Sequence, residues 1–118
     1  MKAYTDLPQS KKLAEILPLE SADMRYAPFG DAHPWVWDEE VKLLEKGSVP
    51  CWSLAALHEL LPKRIEIVDN VYELSFYLYG IYYWNINNGN LCFESKDKDN
   101  LVDACYEAIV FLHEQKLL

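Results

Sequence analysis

The side chains best suited to chemistry in this chain are three histidines, His33, His58 and His113, and three cysteines, Cys51, Cys92 and Cys105. A zinc site needs such ligands to converge tetrahedrally, commonly from close-spaced pairs such as C-x2–4-C or H-x3–5-H. Cys51 and His58 stand seven residues apart, and no zinc pairing emerges. Cys105 falls in the middle of an apolar helical stripe, where an inert buried thiol is the default. His58 lies off the leucine side of its helix, at the border, and is expected to be half exposed. The stretch "DKDNLVD" at 97–103 has the look of a calcium loop. The glycine required at the sixth position and the acid required at the twelfth are Val102 and Ala108 instead. Helix capping explains those acids better.

Covalent catalysis is no better supplied. A Cys51–His58 couple would need the helix start to lower the thiol pKa. Cys51 precedes the capping residue Ser53 by two positions and falls outside the first turn. His33 with Asp31 or Asp38 offers little more. There is no G-x-S-x-G, no P-loop and no dinucleotide fingerprint. Gly30, Gly47, Gly80 and Gly89 each have a turn to explain them. No catalytic, cofactor-binding or metal-ligating residue is assigned, and no cofactor is expected.

The remaining concentration of chemistry is "YLYGIYYWNINNGN", residues 77–90, with its aromatic rings and asparagines. Whether those rings form a core or a surface depends on strand register. From Arg64 onward the hydrophobic period is two. "RIEIVDNVYEL" reads as a hairpin with Asp69–Asn70 at its tip, and "WNINNGNLCF" as a second hairpin turning on Asn88–Gly89. These closures set Ile67 beside Tyr72 and Trp84 against Phe93. With Gly80 at the bend between the hairpins, Leu78 meets Tyr82. The expectation is a four-stranded antiparallel meander over 64–68, 71–79, 81–87 and 90–95. Tyr72, Leu74, Phe76, Leu78, Tyr82, Trp84 and Ile86 then face the helices. Tyr77, Tyr79 and Tyr83 project from the other face, with Glu73, Asn85 and Glu94 around them. Tyrosine is enriched at interfaces, and this outer cluster is the candidate interaction surface. Two alternatives leave it without a role: tyrosine favours strands and is content in water, or the N-terminal segment covers the face.

Helices must position that sheet. "CWSLAALHELLP" predicts a helix over 53–61, capped by Ser53, stapled by Trp52 against Leu57 and closed by Pro62. The closing helix spans 97–115, from Asp97 or Asp99. Leu101, Cys105, Ala108, Ile109 and Leu112 form its buried stripe, and Asp103, Glu107 and Glu114 its solvent stripe. "SKKLAEILP" gives a short N-terminal helix ended by Pro18. Residues 18–37 are irregular but apolar, with Met24, Tyr26, Phe29, Trp35 and Trp37, and allow a short strand near Asp23–Ala27. "DEEVKLLEKG" suggests another brief helix.

At 118 residues the chain is one expected domain, 1–118, with an N-terminal helix and loop-rich segment over 1–48 and a helix–meander–helix core over 49–118. No apolar run approaches the length of a membrane span, and no signal-peptide stretch opens the chain. A cytoplasmic location is expected. An odd, scattered set of cysteines fits free thiols. The net charge of −8 is spread as −4 in residues 1–62 and −4 in residues 63–118, with no basic stripe. A nucleic-acid binder normally clusters Lys and Arg, so nucleic acid is not the expected partner.

"VPCWSLAALHELLP", "YELSFYLYG" and "NLVDACYEAIVFLHEQKLL" resemble segments of small proteins carried by phages and mobile elements of gut Bacteroidales. The shared pattern is Pro-x-Trp-Ser-Leu before a leucine-rich helix, a Tyr-x-Leu strand, and an Asp-Ala near the start of the closing helix. It covers residues 49–118. No established activity attaches to those proteins, so the resemblance implies an accessory role and no catalytic residue.

The sequence therefore points to an α+β fold with a four-stranded antiparallel sheet packed on one face by helices. The function it favours is a non-enzymatic interaction module, binding an unidentified protein or a second copy of itself. An enzyme using His or Cys chemistry and an acidic decoy for a nucleic-acid-binding protein are the alternatives.

Overall fold

The computed structural model describes residues 2–27, 34–36, 47–77, 80–95 and 99–118. The helix expected within 38–47, the His33 couple, Leu78, Tyr79 and the Asp97 cap lie outside the described residues.

The first helix, α1 (Leu7–Ile16), starts earlier than its apolar spacing suggested. Asp6 accepts from the Gln9 N–H at 2.9 Å, and the Gln9 side chain accepts from the Asp6 N–H at 3.1 Å. This reciprocal box satisfies two free amides of the first turn. The helix stops at Leu17, before Pro18, and a 3-10 turn over Leu19–Ser21 follows. Three short strands, β1 (Met24–Tyr26), β2 (Trp35–Val36) and β3 (Val49–Cys51), make an antiparallel sheet in the order β2-β1-β3. The expected strand near residues 23–27 is present. Its partners are too short to show any period.

The helix α2 (Leu54–Leu60) forms as its signals require, with the Ser53 hydroxyl accepting from the Ala56 N–H at 3.2 Å. Then come β4 (Arg64–Ile67), β5 (Asn70–Tyr77), β6 (Gly80–Trp84) and β7 (Leu91–Ser95), in the antiparallel order β4-β5-β6-β7. The last helix, α3 (Leu101–Glu114), is capped by Asn100, whose side chain accepts from the Asp103 N–H at 2.9 Å. The acids proposed as caps give way to the amide three residues ahead of Asp103. At its other end Lys116 adopts φ 60°, and Leu117 and Lys116 donate to the carbonyls of Leu112 and His113. That is a left-handed helix stop made without glycine.

The core is the α+β arrangement expected. Helix α3 packs on β6 and β7, α2 packs on α3, and α1 packs on β3 and α3. Trp52, Leu57, Cys105, Ala108, Ile109 and Leu112 are fully buried in one cluster. Phe93 and Phe111 stack across the sheet–helix interface with ring centroids 4.8 Å apart. Asp103, expected on the solvent side, is instead half-buried and accepts from Lys2 Nζ at 2.7 Å and Gln9 Nε2 at 2.8 Å. The N-terminal segment folds onto the first turn of α3. Among the described residues, no helix is long and apolar enough to cross a membrane.

Register is where the structure departs from the sequence reading. The first hairpin closes Ile67 on Asn70, with Val68 and Asp69 at its tip at φ 50° and 62°. Relative to the expected closure this is a two-residue slip, so Ile65, Tyr72 and Leu74 keep their faces. Between β5 and β6 the pairing is Leu74 with Tyr83 and Tyr77 with Gly80, so Gly80 begins a strand rather than forming the apex of a bend. The second hairpin carries a longer turn than Asn88–Gly89 alone. Asn85 Oδ1 accepts from the Asn87 N–H, Asn88 Oδ1 accepts from the Asn90 N–H, and the Gly89 N–H donates to the Asn85 carbonyl. A bulge at Trp84 follows, where Trp84 pairs with Leu91 and Tyr83 with Phe93. The net slip on β6 is odd, and an odd slip turns every side chain of a strand to the other face.

Candidate functional site

The slip exchanges neighbours along β6. Tyr83 faces the helices at 0% exposure, with its hydroxyl donating to the Pro62 carbonyl at 2.7 Å. Burial pushes its phenol well above the ordinary value, with the nearby Cys92 and Cys105 adding to the shift. Asn85 is buried beside it, its amide used by the turn and by a 3.5 Å contact to Asn70. Both residues therefore leave the candidate surface as expected from sequence. Tyr77, Glu73 and Glu94 stay on the outer face, and Tyr79 lies outside the described residues.

Tyr82 and Trp84 take the vacated places. Cross-strand partners put Arg64, Glu73, Trp84 and Leu91 in one row across all four strands of the outer face. Ser75, Tyr82 and Glu94 make the next row, and Glu66 with Val71 flank the first on its other side. The Tyr82 ring lies along the strand over Gly80. A Cβ at Gly80 would stand 2.7 Å from the Tyr82 hydroxyl, so glycine is what lets the ring lie flat.

This face is open. Trp84 is 37%, Leu91 48%, Val71 48% and Tyr77 69% exposed, whereas the helix-facing Ile81 and Tyr83 are fully buried. Of the segment 18–40, the described strands β1 and β2 pair with β3 in the separate three-stranded sheet. Charge on the face is mainly acidic. Glu66, Glu73 and Glu94 stand against Arg64, which pairs with Glu73 at 3.1 Å. Sequence reasoning turned Tyr82 and Trp84 to the other face because it fixed the parity of β6 by a two-residue turn, and it left Val71 and Leu91 out of the surface. The available clue was the run of asparagines, whose side chains favour longer turns of their own making.

The cysteine and histidine chemistry is dispersed. Cys51 is fully buried, with its thiol within 3.5 Å of the Thr5 hydroxyl and carbonyl. Thr5 also bonds the Ser10 hydroxyl at 2.7 Å, and its carbonyl accepts from the Tyr26 hydroxyl at 2.8 Å. Burial raises the Cys51 thiol, pushes Tyr26 up to about 12, and pushes Cys105 up to about 12. These are structural groups, held protonated. His58 is exposed on α2, stacked on Phe76 at 5.0 Å, and shares no bond with Cys51. Among the described residues no three His, Cys, Asp or Glu side chains converge as a metal site. Compared with known proteins, the chain matches no family model, no curated protein and no solved structure.

Proposed function

We propose that this protein is a non-enzymatic interaction module that holds a partner protein on the outer face of its four-stranded sheet. The observation that carries this reading is the exposed row Trp84–Leu91, with the half-buried Tyr82 and the exposed Val71 and Tyr77 on the same face of the sheet. Large rigid rings left in water on an ordered sheet lower the entropic cost of binding, and a contiguous apolar patch of this kind marks an interaction site. The glutamates around it, on a chain of net charge −8, select a partner with an apolar centre and a basic rim. The same charge opposes pairing with a second copy and disfavours nucleic acid. A cytoplasmic accessory role in a phage or mobile element is the setting we propose, supported by the resemblance over residues 49–118.

The test is replacement of Tyr77, Tyr82 and Trp84 together by serine. The variant should retain the far-ultraviolet circular dichroism and cooperative unfolding of the parent, and lose a partner that the parent retains on co-purification. Equal retention of that partner by both proteins would contradict the reading.

A further inference from the structure

The turn between β6 and β7 carries a reactive pair of residues that its part in setting register does not use. Of the six asparagines in the chain, Asn88 alone precedes a glycine; the others precede Val71, Ile86, Asn88, Leu91 and Leu101. An asparagine amide is open to attack by the main-chain nitrogen that follows it, and glycine, without a Cβ, hinders that approach least. Asn88 and Gly89 are both exposed. Beyond its chain neighbours, no residue comes within 4 Å of the position a Cβ on Gly89 would take. Both reacting groups are nonetheless engaged. The Gly89 nitrogen donates its hydrogen to the Asn85 carbonyl at 2.7 Å, and Asn88 Oδ1 accepts from the Asn90 N–H at 2.9 Å. Asn85 Oδ1 accepts from the Asn87 N–H at 2.9 Å, and the Asn85 N–H closes the turn on the Asn90 carbonyl at 2.8 Å.

We propose that Asn88 is a self-modification site gated by this turn, converting to isoaspartate when the hairpin opens. The Gly89 nitrogen gives up its proton and bonds to Cγ of Asn88. The Cγ–Nδ2 bond breaks, and Nδ2 takes up that proton and leaves as ammonia. The five-membered imide so formed adds one water at either carbonyl and opens to aspartate or isoaspartate. In the closed turn the hydrogen on the Gly89 nitrogen is held by the Asn85 carbonyl, and the imide has no hydrogen there to donate. Closure therefore opposes the reaction, and local opening permits it. The two products differ in consequence. Aspartate keeps a side-chain oxygen placed to accept from the Asn90 N–H, as the turn requires. In isoaspartate the main chain runs through the former side chain, which adds a backbone atom and removes that oxygen as a side-chain acceptor. This turn and the bulge beside it set which rings of β6 face outward, so isoaspartate releases the register that presents Tyr82 and Trp84. The inference stands on the turn and requires no partner on the open face.

The test is to age the full-length protein in mildly alkaline buffer, with and without urea, and to follow its digested peptides by mass spectrometry for the exchange of amide for carboxylate. Conversion should reach Asn88 before any other asparagine. In urea it should run about tenfold faster or more, because opening of the turn no longer limits it. The isoaspartate form, separated chromatographically from the aged protein, should unfold at a lower urea midpoint than the parent. Asn88→Asp, which carries the same added charge but an unaltered main chain, should unfold at the parent's midpoint. Equal rates with and without urea, earlier conversion of another asparagine, or an isoaspartate form as stable as Asn88→Asp would each overturn the proposal.

Discussion

The identity of the open face depends on which of two adjacent residues, Tyr83 or Trp84, belongs to the core, and mutation can decide it. Tyr83 is fully buried with Ile81, Leu112 and Ile109, so Tyr83→Ala removes a whole ring from a close-packed site. The expected loss is about 3–5 kcal/mol, a fall in melting temperature of roughly 10 °C or more for a domain of this size. Tyr83→Phe keeps the ring and removes only the 2.7 Å bond to the Pro62 carbonyl. It should cost about 1–2 kcal/mol, the range for a buried carbonyl left without its donor. Trp84 is the larger side chain, yet it stands 37% exposed on the other face. Trp84→Ala loses cross-strand contact with Glu73 and Leu91 and should cost only about 1 kcal/mol. Urea titrations followed by circular dichroism would measure all three, comparing midpoints at constant slope. If Trp84→Ala proves as damaging as Tyr83→Ala, the register is wrong, and the outer face carries Tyr83 and Asn85 instead.

Val68 is a β-branched residue at φ 50° and is highly exposed, so Val68→Gly should raise stability by about 1 kcal/mol, read as a higher urea midpoint. Trp52→Ala should destabilise by about 3–5 kcal/mol, because the indole is fully buried and donates to the Ser21 hydroxyl at 2.9 Å. Burial alone would raise the Asp103 carboxyl, but hydrogen bonds from Lys2, Gln9 and Asn100 outweigh it and hold the pKa below the ordinary value. A depressed folded-state pKa contributes stability above the unfolded value, near 4, and loses it as pH falls through the folded value. The stability gap between the parent and Asp103→Asn should thus be constant at neutral pH and shrink on acidification below about 4. A gap that widens on acidification would refute the linkage.

Much of the fold was legible because its strongest signals are local. Ser53 and Pro62 bound α2 as their chemistry requires, and the stripe from Leu101 to Leu112 found the buried side of α3. The alternation in β5 placed Leu74 inward and Tyr77 outward correctly. The three-stranded sheet escaped because β1, β2 and β3 are held by pairing across distant segments, not by any pattern of their own. The faces of β6 escaped for a different reason. Its run Ile81-Tyr82-Tyr83-Trp84 is large and apolar at every position, so sequence alone gives no inward set. The choice falls to the Asn85–Asn90 turn and the bulge beside it. Once that turn lengthens, Tyr83 and Asn85 leave the candidate surface and Tyr82 and Trp84 enter it.

The claim that the open face is the binding surface is tested most directly by placing a photo-reactive phenylalanine analogue at position 84 and, in a separate protein, at the exposed position 11 on α1. Irradiation of each in cells of the natural host should give a covalent adduct from position 84 alone, to a partner whose cross-linked segment is apolar and bordered by lysine or arginine. Adducts of equal yield from both positions, or none from position 84, would contradict it.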